Sequence, residues 1–245
     1  MAKAVEAFAA KALVLPFLLG SFLLTILLLD GPGVVRQTSL CISALGAAWL
    51  AIRHVSLTSR ELVIAIILAT FGETIFSRGC AMYTYRYALI PAYVPPGHVL
   101  LYVLSLSTAQ HLKLKVPSTI AVALLVTVGT SVTVAAILCQ GDLSGAILWL
   151  WMLLFISRSP QPHLLCACWA YSILLEILGT KLGNWQWKAH VPFVGISSSN
   201  PPAGVAAFYA LFDVALLSIL RWYRRIPFST PTGCEQAGGL TTLTS

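Results

Sequence analysis

Apolar residues run in eight blocks, at about 13–29, 38–52, 62–77, 97–111, 117–139, 144–157, 163–180 and 203–221, and the segments between them hold most of the charge. Blocks of this kind have no broad polar stripe and approach the roughly 20 residues that carry a helix across a bilayer. The pattern predicts an all-α, polytopic integral membrane protein with about eight transmembrane helices. The block at 144–157 is short and stops at Arg158 before Ser-Pro-Gln-Pro, so it reaches full thickness only with the preceding loop or in a thinned membrane. The first block follows Lys3 and Lys11, lacks a convincing small-residue cleavage site, and reads as an uncleaved span.

Composition agrees: of 245 residues 58% are hydrophobic and 9% charged, against roughly 25% charged in a soluble domain. The net charge of +7 is spread singly or in pairs between apolar blocks. That is how topology determinants are distributed, and it excludes nucleic acid as a partner. With eight spans, ten Lys and Arg fall on the side of both termini and five on the other. This predicts cytoplasmic termini, with the two longest connections on the opposite face. Four of the six cysteines lie in or beside apolar blocks, and Cys166-Ala-Cys168 has no second pair at zinc spacing. The thiols read as helix packing, and no metal site is expected.

The two long connections resemble each other. The first reads Glu73, Tyr83-Thr-Tyr85-Arg86, Pro91, Pro95-Pro96-Gly97-His98 and Tyr102; the second reads Glu176, Trp185-Gln-Trp187-Lys188, Pro192, Pro201-Pro202-Ala203-Gly204 and Tyr209. The order is conserved at offsets of 101 to 107 residues, as a head-to-tail duplication of four spans produces. Duplicating an even number of spans keeps both copies in one orientation, in agreement with the charge count. The expected organisation is a parallel 4+4 repeat, 1–112 and 113–225, with two re-entrant or irregular loops and a polar, disordered tail at 226–245. Chance recurrence of proline and aromatic residues in membrane loops is the alternative.

Chemistry points to the acids inside the apolar blocks. Glu6, Asp30, Glu61, Asp142 and Glu235 sit at block ends or in tails, within reach of water, whereas Glu73, Glu176 and Asp213 do not. An ionised group at that depth costs roughly 2.5–3.5 kcal/mol on insertion scales, so it faces a cavity or a partner. In a water-poor site a carboxylic acid retains a transferable proton. The three acids are expected to converge on one pocket as catalytic candidates, with His98 as a further acid or base. Each acid has a plain alternative as a hydrogen-bonding link between helices, and His98 one as a helix cap. Tyr83, Tyr85, Trp185 and Trp187 are candidate pocket walls, Arg86 and Lys188 candidate rim charges for polar groups, and Tyr102, Tyr209 and Asn200 further binding candidates. Asn200 reads equally as a turn residue, and the aromatic pairs as an interfacial girdle.

With Glu73 and Glu176 each followed by a glycine and an aromatic-x-aromatic pair, the pattern resembles small cofactor-free membrane enzymes of isoprenoid metabolism: carotenoid hydratases, small lycopene cyclases and integral membrane terpene cyclases. The resemblance covers about 73–102 and 176–213. It implies a lyase or isomerase that protonates an olefin or epoxide with an intramembrane carboxylic acid and shelters the cation among aromatic rings. It further implies no cofactor, with membrane lipids and a lipid-soluble small-molecule substrate as partners. Glu73 or Glu176 then becomes the proton donor, with Asp213 or His98 orienting it or taking the proton back. A proton-coupled transporter or lipid carrier is the competing reading, and a membrane interaction or assembly protein the third.

Overall fold

In a computed structural model, which describes residues 2–225 and side chains from Val14 onward, the chain is a bundle of eight helices. They are α1 (Ala2–Leu29), α2 (Val34–Ile52), α3 (Ser59–Glu73), α4 (Val94–Lys113), α5 (Ser118–Gln140), α6 (Leu143–Arg158), α7 (Pro162–Lys181) and α8 (Ala206–Tyr223). Each apolar block of the sequence is one helix, and the predicted tail at 226–245 lies outside the described residues. Among the described residues, five helical segments are long and apolar enough to cross a membrane: Val34–Val55, Ser59–Gly79, Ser118–Gln140, Pro162–Lys181 and Ala206–Tyr223. Large apolar side chains such as Phe17, Val35 and Leu138 cover the outside, a surface suited to lipid. α4, which is not among the five, packs against α1, α2, α3 and α7 at once, so most of its surface meets protein.

The two long connections are irregular, as the prolines require, but they share an element not expected from the sequence. After α3 the chain continues through a π-helical turn, Thr74–Gly79, into the strand β1 (Tyr83–Tyr85), and after α7 comes β2 (Trp185–Trp187). The strands pair antiparallel, Tyr83 with Trp187, Thr84 with Gln186 and Tyr85 with Trp185. In each, the outer residues are buried and the middle one exposed, the period-two alternation of a strand with one face on a core. The ribbon joins the first four helices to the last four at one end of the bundle.

Three acids assigned to water by their position at block ends are buried instead: Asp30, Glu61 and Asp142 are 7%, 2% and 0% exposed. Each has a structural task. Glu61 completes a capping box with Thr58 at the start of α3, and Arg224 Nε, just past α8, meets its Oε1 at 2.5 Å. Asp30 accepts from Gln37 Nε2 at 2.8 Å across the α1–α2 turn. Asp142 caps α6 and accepts from Gly145 N, Ser144 Oγ, Ser199 N, Ser199 Oγ and Ala203 N between 2.7 and 3.2 Å, so it anchors the connection after β2. Beside it α6 and α8 touch through glycine: a Cβ on Gly204 would lie 2.3 Å from the Gly145 carbonyl oxygen and 2.4 Å from Trp149 N.

Asp142→Ala leaves several buried donors without a partner and is expected to cost about 3 kcal/mol or more. Thermal unfolding of the purified protein in detergent checks this. An unchanged melting temperature for Asp142→Ala, or for Gly204→Ala, contradicts the anchoring role.

Candidate functional site

Glu73 ends α3 and Glu176 lies in the last turns of α7; they are 7% and 4% exposed. Each is satisfied by the strand that follows it in sequence. Tyr83 and Tyr85 donate their hydroxyls to Glu73 Oε2 at 2.8 and 2.6 Å. Trp185 and Trp187 donate their indole N–H groups to Glu176 Oε2 at 2.8 and 2.9 Å. The aromatic-x-aromatic spacing is therefore the spacing of two donors on one strand face aimed at one carboxylate oxygen.

The second oxygens differ. Glu73 Oε1 lies 3.3 Å from His98 Nε2, while Glu176 Oε1 accepts from the Tyr209 hydroxyl at 2.6 Å. The His98 and Tyr209 rings stack with centroids 5.3 Å apart and 11° between planes, so the groups attached to the two acids are in direct contact. His98 Nδ1 lies 3.1 Å from the Val94 carbonyl oxygen, which can only accept, so Nδ1 carries a hydrogen. Nε2 is then the ring position where a proton comes and goes. It is also the ring nitrogen that faces Glu73 Oε1.

These groups border a cavity of about 310 Å³, at the lower end of the usual range for small-molecule sites. Its polar contributors are Glu73, His98, Glu176, Tyr209 and the ribbon aromatics, together with Tyr93; most of the remaining lining is apolar. Phe76, Phe208 and Phe212 add aromatic walls, with Phe76 and Phe208 centroids 4.5 Å apart and Phe208 stacked on Trp187 at 6.1 Å. None of the three is among the residues expected from the sequence, although Phe208 and Phe212 flank Tyr209 one helical turn apart, and neither is Gly179. A Cβ there would stand 2.1 Å from the Trp185 ring, so the glycine is what lets that indole lie over α7 and reach Glu176.

The other sequence candidates lie elsewhere. Asp213 is 3% exposed but one turn below Tyr209 and outside the cavity lining, beside the Cys168 thiol, and its Oδ2 has no hydrogen-bond partner. The expected convergence of three acids thus holds for two. Tyr102 is buried a turn below His98, also outside the lining. Arg86 donates from Nε to the Gly183 carbonyl at 2.9 Å and from its guanidinium to the Leu182 carbonyl. It caps the C-terminal end of α7, where a cation is favoured, and is not a rim charge. Lys188 is exposed outside the lining, and its backbone N–H extends the ribbon to the Met82 carbonyl at 2.9 Å. Asn200 Oδ1 accepts from Trp187 N at 3.0 Å, which makes it a support for β2.

The register of the two halves also differs from the one read off the Pro-Pro pairs. Pro95 and Pro96 lie within the first turn of α4, whereas Pro201 and Pro202 precede α8. The residue that meets Glu176 as His98 meets Glu73 is therefore Tyr209, at an offset of 111, and not a neighbour of Gly204. Among the described residues no cluster of three or more His, Cys, Asp or Glu has metal-holding geometry. Comparison with protein-family models, curated proteins and solved structures finds no match.

Gly179→Ala drives a methyl group into the Trp185 ring and is expected to break the indole bond to Glu176. The difference in tryptophan emission between Gly179→Ala and wild type, measured against a Trp185→Phe background, checks this. An identical spectral change in both backgrounds means the glycine has no such role.

Proposed function

We propose that the chain is a membrane-embedded enzyme that performs acid–base chemistry, a protonation followed by cyclisation, isomerisation or hydration, on a lipid-soluble substrate of the isoprenoid kind. The observation that carries this reading is the pairing of Glu73 Oε1 with His98 Nε2 at 3.3 Å, a carboxyl and an imidazole in contact at the wall of an apolar, aromatic-lined cavity. Transfer of a proton from this pair to a C=C bond or an epoxide oxygen leaves the substrate cationic. The pair takes a proton back when the cation loses one, or when water adds to it. Glu176 has a different part. Its Oε2 faces two indoles that donate and never accept, and Oε1 receives a third donor. Three donors hold the carboxyl group in one orientation, and its oxygens lie among π faces that stabilise a neighbouring cation.

The same reading takes all eight helices as spans, arranged as two parallel four-helix halves with both termini cytoplasmic. Supporting it are the ten-to-five distribution of basic residues, the matched acid-and-strand units, and the pairing of the two strands with each other. The apolar part of α1, Val14–Leu29, and α6 have 16 residues each, about 24 Å at 1.5 Å per residue, which a locally thinned bilayer accommodates.

Cysteines placed at Arg86 and Lys188 are expected to react together with an impermeant reagent applied from the non-cytoplasmic side; reaction of only one is incompatible with parallel halves. Glu73→Gln is expected to insert and purify normally yet lose activity by roughly a hundredfold or more, the usual scale of general acid–base catalysis, with His98→Gln close behind. Lipid profiles of cells with and without the gene supply the readout. If Glu73→Gln and Glu176→Gln leave the profile unchanged but abolish pH-driven uptake of a solute, a carrier replaces the enzyme.

A further inference from the structure

The walls of the cavity are of unequal kinds. At the ribbon end Tyr83, Tyr85, Trp185 and Trp187 are buried, while Thr84 and Gln186 alternate outward, so the strands cover the cavity toward that end of the bundle. On a second side α1 closes it with Leu23, Ile26 and Leu27, none more than 7% exposed. Between α3 and α8 the wall is incomplete. Phe71, Ile75 and Leu211 line the cavity and are nevertheless 63%, 36% and 39% exposed, and α5 packs against α6 and α7 without covering them. The incomplete wall extends from Ile75 and Leu211 down to Leu68 and Ala215, about 10 Å along α3 at 1.5 Å per residue. Beyond it the Glu61–Arg224 pair ties the two helices together.

Both flanking segments, Ser59–Gly79 and Ala206–Tyr223, are apolar enough to cross a membrane. The gap between them therefore faces acyl chains and not water. Its own side chains are apolar, and the groups that hydrogen-bond lie at its inner end.

We propose that this gap is a lateral port through which a membrane amphiphile inserts its polar or reacting end, toward Glu73 and His98, leaving its apolar tail between α3 and α8 in the acyl layer. The inference rests on reading the cavity as the place where a lipid-soluble substrate binds, and adds the form of that substrate. It has one terminus to be recognised and a chain long enough to remain in lipid. Selection then falls on the segment nearest the polar end, because the rest never enters the protein, and tail length beyond the port is not read.

The port is open to a direct test on the full chain in lipid nanodiscs, with palmityl alcohol carrying a diazirine beside its hydroxyl as the photolabel. Adducts are expected on the α3 and α8 segments that carry Phe71, Ile75, Leu211 and Ala215. Lauryl and palmityl alcohols should compete equally, and butanol should not. Gly72 lines the cavity, and a Cβ there meets nothing within 4 Å, so Gly72→Phe fills the port without a backbone clash. It should cut labelling by about tenfold or more, the effect of denying the hydroxyl end one hydrogen bond at the inner end of the port. Ala215→Trp, from the other helix, should do the same. Ile67→Trp, at an exposed position of α3 outside the lining, should leave it intact. Adducts scattered over the outer surface, or equal labelling of Gly72→Phe, Ala215→Trp and wild type, overturn the port. Labelling does not require turnover. Port-specific adducts in a protein that leaves cellular lipids unchanged would therefore retain the port and refute the enzyme, whereas altered lipids with unselective labelling would do the reverse.

Discussion

A carboxylate surrounded by hydrocarbon has to be given its hydrogen bonds by the protein, because lipid offers none. Much of the site end of this molecule can be traced to that requirement at Glu73 and Glu176. Helices cannot meet it with their own backbones, which are already paired, so each acid is followed by a short extended segment whose alternate residues aim two donors at one oxygen. An extended segment has unpaired N–H and C=O groups of its own, and the two segments satisfy one another by pairing. The remaining details support the pair: Asn200 bonds Trp187 N, Arg86 caps α7 where β2 begins, and Gly179 leaves room for an indole.

The same geometry separates the two acids chemically. Tyrosine hydroxyls can donate or accept and imidazole can do either at Nε2, so the surroundings of Glu73 tolerate a proton that moves. Indole N–H groups only donate, so the oxygen of Glu176 that faces the ribbon can only accept. Two positions that resemble each other in sequence thus differ in role through the choice of tyrosine in one strand and tryptophan in the other. The stacked His98 and Tyr209 rings are where these two environments meet.

Hydropathy alone was enough to locate all eight helices, because a helix facing lipid needs an unbroken apolar block and little else. The two cavity acids were legible for a related reason: an acid inside such a block is costly and therefore conspicuous. The aromatic pairs were recognised as cavity wall, but their function as donors was not, since donation depends on where the next strand runs. Asp213 shows the limit from the other side. It is as deeply placed in its block as Glu176, and only the rotation of α8 decides that Tyr209 and Phe212 face the cavity while Asp213 faces α7. Block ends misled for Asp142 and Glu61, where closure by distant residues, Ser199 and Arg224, removes water from positions that look exposed. The five-residue slip between the Pro-Pro register and the spatial one arose because one pair lies inside a helix and the other before it.

The ribbon has a mechanical side. It stitches the first four helices to the last four at one end only, and the Arg86 guanidinium, bonded to the end of α7, adds a second tie at the same place. Between that end and the Glu61–Arg224 contact at the other end of α3, α4 packs against α7 along the middle of the bundle. The halves are thus fastened at both ends and between, and the two acids, one from each half, are held at the seam in a fixed mutual arrangement.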